Sequence, residues 1–296
     1  MTLLRGFVDE REASEDPSRA GVTVRGRDVA GRLVDDAADV RDYRDYDLVR
    51  LGTELASPWI PSVLLSNAQN RALTRGRGRR STAAGEPIFS RRGDVQWRSM
   101  VGMPRADVLR FFLAQAQLLA WASADGVTLV IARPNKRQAP QYRLARGTIL
   151  SADRSRSVAD RHSEFIGLAR PQRLNAAKLR ATEADASGDF QRRKRAVRIL
   201  GGARNQSELA RLTRAEFLRA QQTADRLTVR VSCHGQRYAS TDAETLYAID
   251  TVARVDMRRL GIRVADYYVA GVTLQHRVGE DATELELLPL ATEIVA

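Results

Sequence analysis

At 296 residues, 43 % of them hydrophobic, the chain has room for one large or two to four small domains with true apolar cores, which excludes wholesale disorder. Lys and Arg number 48 against 36 Asp and Glu, a formal charge of +12, and only Lys136, Lys178 and Lys194 of the cations are lysines. Arginine on this scale serves either acidic partners, which its planar guanidinium grips well, or ion pairs within the protein.

From the amino end, Val22 and Val24 alternate with polar neighbours and run into a helical pattern that starts at Asp28, so a strand leads into a short helix. Leu48, Leu51 and Leu55 recur at helical spacing over residues 47–56, and Pro58 and Pro61 close that helix. Residues 70–86, with Arg71, Arg75, Arg77, Arg79 and Arg80 among Gly, Ser and Ala, have no apolar period and read as an exposed loop or a phosphate-gripping arm.

Residues 104–123 predict one long helix: Pro104 initiates it, Asp107 sits in its first turn, and Val108, Phe111, Phe112, Leu118 and Leu119 give it an apolar face. Asp125-Gly126 ends it and Val127 to Ile131 form a strand. Residues 147–153 and 163–169 read as two strands able to pair as a hairpin.

Beyond Pro171 the chain turns hydrophilic, with its densest positive run at Arg192-Arg193-Lys194-Arg195, then Gly201-Gly202 and a helix over 207–224 that buries Leu209, Leu212, Phe217 and Ala220. The period changes to two residues after Asp225. Runs at 227–233, 247–255, 263–274 and 283–288 predict β structure to the end, as a small barrel or sandwich with an edge to protect.

Few patterns suggest chemistry. Cys233 stands alone, which forbids an intrachain disulfide and any cysteine-rich zinc site; His162, His234 and His276 are scattered, with no HExxH pair. No Walker loop exists, and Gly76-Arg77-Gly78 lacks the strand, third glycine and helix of a dinucleotide site. Asp35-Asp36 and Glu280-Asp281 are adjacent carboxylates, which in general point apart. In a strand Cys233 and His234 face opposite sides, so Cys233 reads as a small buried apolar residue and His234 as a strand-end residue; His162 and His276 lack an evident acidic orienter. The expectation is no enzyme, no metal and no cofactor. The amino end has no apolar core of secretory length, and no run reaches the ~20 apolar residues that span a bilayer, so a soluble product is expected, cytosolic or exported by another route.

The order of segments resembles the baseplate hub proteins of Mu-type contractile-tailed phages, a family similar in architecture to the hub of T-even phages. Four stretches carry the resemblance: Val24-Arg25-Gly26-Arg27-Asp28 leading to Leu33-Val34-Asp35; residues 104–133, helix, Asp-Gly turn and strand; Ile149-Leu150-Ser151-Ala152 with Arg161-His162-Ser163-Glu164-Phe165; and the carboxyl block 227–288, including the Leu260-Gly261-Ile262 turn. Two features depart from the family pattern: only about twenty residues precede the Gly-Arg-Asp turn, where members carry further strands, and no Trp lies near 229–235.

The resemblance implies a multidomain α+β fold of tail-tube-like β-barrels with mixed α/β peripheral domains. Its divisions are 1–25, the remnant of a first tube-like barrel; 26–138, a mixed α/β domain; 139–170 plus 227–296, a tail-tube-like barrel; and 171–226, a basic, partly helical insertion. It further implies a homotrimeric hub in the virion baseplate, assembled in the host cytoplasm. The ring would join the tail tube protein to a trimeric spike beside other baseplate proteins, leave an axial channel for transient DNA passage, and insert into no membrane. The competing reading is an arginine-rich nucleic-acid-binding protein. The candidate interaction residues are Arg75, Arg77, Arg79, Arg80, Arg192, Arg193 and Arg195.

Overall fold

The computed structural model describes residues 4–16, 19–41, 43, 47–65, 99–116, 118–157, 159, 161–169, 179–186, 194–200, 206–236, 245–277 and 280–290. They fall into two compact units, one within residues 1–133 and the other within 134–295.

The first unit opens with β1 (Gly6–Asp16) and β2 (Arg19–Asp28), an antiparallel ribbon with a bulge between Val8 and Glu10. Asp28 ends it, its carboxylate accepting the Gly31 N–H at 3.2 Å, where the short α1 (Gly31–Asp35) begins. The predicted helix at 47–56 is α2 (Leu48–Ala56), with the Asp47 side chain accepting the Arg50 N–H at 2.7 Å as a helix cap. Leu51 and Leu55 from α2 share one core with Leu33, Tyr43, Ile60, Leu129 and Ile131.

The long helix expected over 104–123 is two elements. The helix α3 (Arg105–Ala116) buries Val108, Phe112 and Leu113, and the chain then becomes β4 (Leu119–Ala122). β4 pairs antiparallel with β5 (Thr128–Ala132), which also takes β3 (Ser62–Leu65) in parallel, giving the order β3-β5-β4. The Asp125-Gly126 turn makes the difference. Ser123 N–H donates to Thr128 O at 2.8 Å, the Asp125 carboxylate accepts from the Ser123 hydroxyl at 2.5 Å and the Val127 N–H at 3.0 Å, and Gly126 takes φ +69°. A turn so closed draws the four residues before it into a ladder, against their helical spacing.

In the second unit the alternation read from the sequence appears as one six-stranded sheet of β6 (Tyr142–Leu144), β7 (Ile149–Arg156), β11 (Asp225–Ser232), β14 (Thr251–Met257), β15 (Ile262–Arg277) and β16 (Glu280–Pro289), ordered β6-β14-β15-β16-β11-β7. Every second residue enters its core: Leu227, Val229 and Val231 lie opposite Leu287, Leu285 and Thr283. Tyr142 closes one end, its ring tilted against that of Tyr247 and its hydroxyl donating to Leu246 O at 2.6 Å. The two edge strands, β6 and β7, follow one another through a turn at 145–148 in which Thr148 N–H donates to Ala145 O. No ladder joins them among the described residues, so the sheet is open where a closed barrel was expected.

β7 and β8 (Glu164–Ala169) do not pair with each other, contrary to the hairpin expected from their proximity in sequence: β7 joins β11, while β8 is the centre of a separate three-stranded sheet. There β9 (Arg180–Ala184) runs antiparallel and β10 (Arg195–Leu200) parallel to β8, under the helix α4 (Gln206–Ala224). Phe165 of β8 packs with Ala215, Phe217 and Leu218 of α4. The helix crosses at Gly167, where an added Cβ would stand 2.1 Å from the Thr213 hydroxyl oxygen. Two further short strands, β12 (Gly235–Gln236) and β13 (Thr245–Leu246), form a clip of their own.

Candidate functional site

The basic candidates separate. Arg75, Arg77, Arg79 and Arg80, with Arg192 and Arg193, lie outside the described residues. Arg195 opens β10, and its Nε donates to the Glu164 carboxylate across the sheet at 2.7 Å. Arg198 in the same strand lies over the Phe165 ring and reaches Glu216 at 3.4 Å. The described end of the densest positive run is therefore held within its own sheet.

Elsewhere arginine serves mainly the protein. Arg154 grips Asp225 through two bonds, at 3.2 and 3.0 Å, and Arg254 grips Asp266 at 2.8 and 3.0 Å. These planar, two-pronged contacts are what guanidinium does better than ammonium, and each ties neighbouring strands of the six-stranded sheet. Arg161 and Asp185 form a buried pair at 2.6 Å, joined by the Gln221 amide, which fastens the approach to β8 to both β9 and α4.

The carboxylate pairs are structural anchors. Asp35 accepts Arg27 at 2.6 Å, Asp36 pairs with Arg105 at 3.0 Å, and Glu280 accepts Arg230 at 2.9 Å. Cys233 is exposed, a correction to the buried apolar reading: at φ 65° it has left β11 for a left-handed turn, where strand alternation no longer applies, and its thiol donates to Gly235 O at 2.9 Å. His234 turns to the Thr283 hydroxyl at 3.0 Å. His276 does have an acidic partner, Asp281 at 2.5 Å, because the two are register partners across the β15–β16 hairpin. His162 lies edge-on to Phe165.

Burial holds the Asp250 carboxyl above the ordinary carboxylate range, although it accepts the Asn135 N–H at 2.7 Å and the Tyr268 hydroxyl at 3.0 Å. Desolvation in turn drives the Tyr268 phenol far above its usual range, so its hydroxyl keeps the proton that it donates to Asp250 at the turn before β14. Beside α2, an open cleft of ≈ 530 Å³ is lined by Arg50, Thr53, Glu54, Ser57 and Arg105. Two of its charges are committed: Arg105 donates to the Leu55 and Ser57 carbonyls and Glu54 accepts Arg41. Among the described residues no three His, Cys, Asp or Glu side chains gather as metal ligands, and no helix is long and apolar enough to cross a membrane.

What the described surface does offer is unsatisfied strand. β10 is an edge strand with Val197 and Ile199 exposed, and both strands of the β1–β2 ribbon have a free edge among the described residues, with Val8, Val22 and Val24 exposed. Open edges and uncovered apolar side chains are the raw material of assembly.

No protein-family profile matches the sequence, and no curated protein matches it. Solved structures do. A tail protein from Neisseria meningitidis superposes with a TM-score of 0.71 at 19 % identity, covering 98 % of this chain and 81 % of that one. The 43 kDa tail protein of prophage MuSo2 from Shewanella oneidensis gives 0.73 at 18 %, covering 99 % and 81 %. The c3393 protein of E. coli, a component of the type VI secretion system that is itself structurally similar to the T4 tail proteins gp27 and gp5, gives 0.51 at 9 %, covering 98 % and 62 %. The fold of this chain, over nearly its whole length, is that of phage tail proteins.

Proposed function

We propose that this chain is the structural hub of a phage tail baseplate: a ring of three copies that joins the tail tube to the central spike, set among other baseplate proteins, with an axial channel through which DNA passes. The observation that carries this reading is the fold match to two phage tail proteins across 98 and 99 % of the chain. The open strand edges suit it. A ring covers edges that a lone subunit leaves exposed, and the six-stranded sheet, whose edges β6 and β7 lie on either side of one turn, is read as the tube-type module completed by assembly. On this reading the chain assembles in the host cytoplasm and resides in the virion.

Electron micrographs of the chain co-expressed with its tube and spike partners test the proposal. A threefold ring with a central opening is the expected result; a stable monomer by light scattering, with no ring, overturns it. The nucleic-acid-binding alternative rests on the two arginine runs, and the one candidate in them that is described, Arg195, is paired with Glu164. A channel that passes DNA also gains from not gripping it. Binding to free DNA that falls steeply with salt and vanishes in an R192E/R193E/R195E variant that still assembles would favour the alternative.

A further inference from the structure

We propose that the β1–β2 ribbon joins copies of this chain head to tail, the free edge of β1 in one copy adding antiparallel to the free edge of β2 in the next. Two strands alone make a marginal structure in water, yet this ribbon is ten to eleven residues long on each side, and residues 8–14 and 21–27 are exposed on both faces. The register divides its side chains. Glu10 and Glu12 lie opposite Arg25 and Thr23 on one face, while Val8, Arg11 and Ala13 lie opposite Gly26, Val24 and Val22 on the other. Val8, Val22 and Val24 are 67, 58 and 56 % exposed, so the second face, Arg11 apart, is apolar and uncovered.

The two strands carry opposite charge, and that selects the occupant. β1 carries Asp9, Glu10, Glu12, Glu15 and Asp16 against one Arg11, and β2 carries Arg19, Arg25 and Arg27 against one Asp28. Inside the ribbon these already pair, Arg25 with Glu10 at 2.9 Å and Arg27 with Asp9 at 2.7 Å. A second copy added β1 to β2 continues the same antiparallel alternation of acid and guanidinium, and aligns the valine faces on one side. The symmetric alternatives are worse: β1 against β1, centred on Arg11, sets Glu10 of each copy against Glu12 of the other, and valine face against valine face brings Arg11 toward Arg11. A contact that uses two different edges is heterologous, the kind a cyclic assembly repeats from copy to copy. It serves the ring proposed above and rests on that reading for its use.

The test is disulfide trapping in the full chain. In a Cys233→Ser background, one chain carries Glu12→Cys and another carries Thr23→Cys or, further along the ladder, Arg25→Cys, all at exposed ribbon positions. Neither chain can link within itself. The expected result is an interchain disulfide when the two are mixed under mild oxidation and none from either alone, since a bond needs Cα atoms within about 7 Å. A link from the Glu12→Cys chain alone, or no link in any mixture while the chains co-sediment as an oligomer, overturns the ribbon contact and leaves the hub reading standing. A chain that sediments only as a monomer beside its tail partners sinks both.

Discussion

The six-stranded sheet and the β1–β2 ribbon are built of the same element and held in opposite ways. In the sheet, every second side chain of β11 and β16 enters an apolar core and the salt bridges Arg154–Asp225 and Arg254–Asp266 tie neighbouring strands. In the ribbon no residue from Val8 to Ser14 or from Gly21 to Arg27 is buried, and only the ladder and surface ion pairs hold the strands together. Hydrogen bonds and exposed ion pairs each contribute little net stability, whereas buried apolar area contributes most of it. A ladder alone thus makes a surface for assembly, and a ladder with a core makes a scaffold.

The strongest way to break the comparison is to charge the sheet's core. Val229→Asp puts an unpaired carboxylate among Leu227, Leu285 and Leu287, and a loss of about 4 kcal/mol is expected in urea unfolding of the second unit. Arg161→Met removes the guanidinium from the buried Asp185 and is expected to cost about 3 kcal/mol in the same measurement. Gly167→Val drives a side chain into Thr213 where α4 crosses β8, costing about 2 kcal/mol; a double-mutant cycle with Thr213→Ala recovers part of it if the clash is the cause.

A pH series sharpens the picture further. Burial raises the Asp250 pKa in the folded state, so the folded form binds the proton more tightly than the unfolded chain. The stability this contributes is fully present below the ordinary Asp range of about 4 and is lost as pH rises through the raised value. Asp250→Asn keeps the two acceptor contacts and tolerates the left-handed backbone at φ 61°. Its unfolding midpoint is expected to match the parent's in acid and exceed it modestly at neutral pH; the reverse order would show that the carboxylate is the favoured form.

The smallest effect belongs to the ribbon. Arg25→Gln removes an exposed pair and is expected to shift stability by no more than about 0.5 kcal/mol, while ribbon amides exchange with solvent well before those of β11. Slow ribbon exchange in the isolated chain would mean that the ribbon is covered.

Much of the scaffold was legible in the residues. Leu48, Leu51 and Leu55 marked α2, and Leu227, Val229 and Val231 marked β11, because a strong period of 3.6 or 2 survives any context that buries one face. Leu119 to Ala122 kept a helical spacing and became a strand, since the Asp125-Gly126 turn and the ladder to β5 outweigh a weak local preference. β9 is short and mostly polar and β10 leaves Val197 and Ile199 exposed beside Arg195 and Arg198, so neither carries a clear period, and they exist because Phe165 and Gly167 in β8 give them a central strand to join. The candidate surfaces were less legible: Arg195 finds Glu164 thirty-one residues away, and His276 finds Asp281 only once the hairpin register is set.

The sequence by itself determined the element types where hydrophobic period was strong, the arginine-rich charge, and the scarcity of cysteine and histidine, all of which are properties of residues and their near neighbours. Tertiary structure alone decided which strands share a sheet, that β7 and β8 part company, which arginines face partners inside the chain, and that the ribbon's valines stay uncovered. Those outcomes depend on pairing between distant segments. A strand's alternation says that it has two faces, but only its neighbours in space decide which face is buried and which edge is left open.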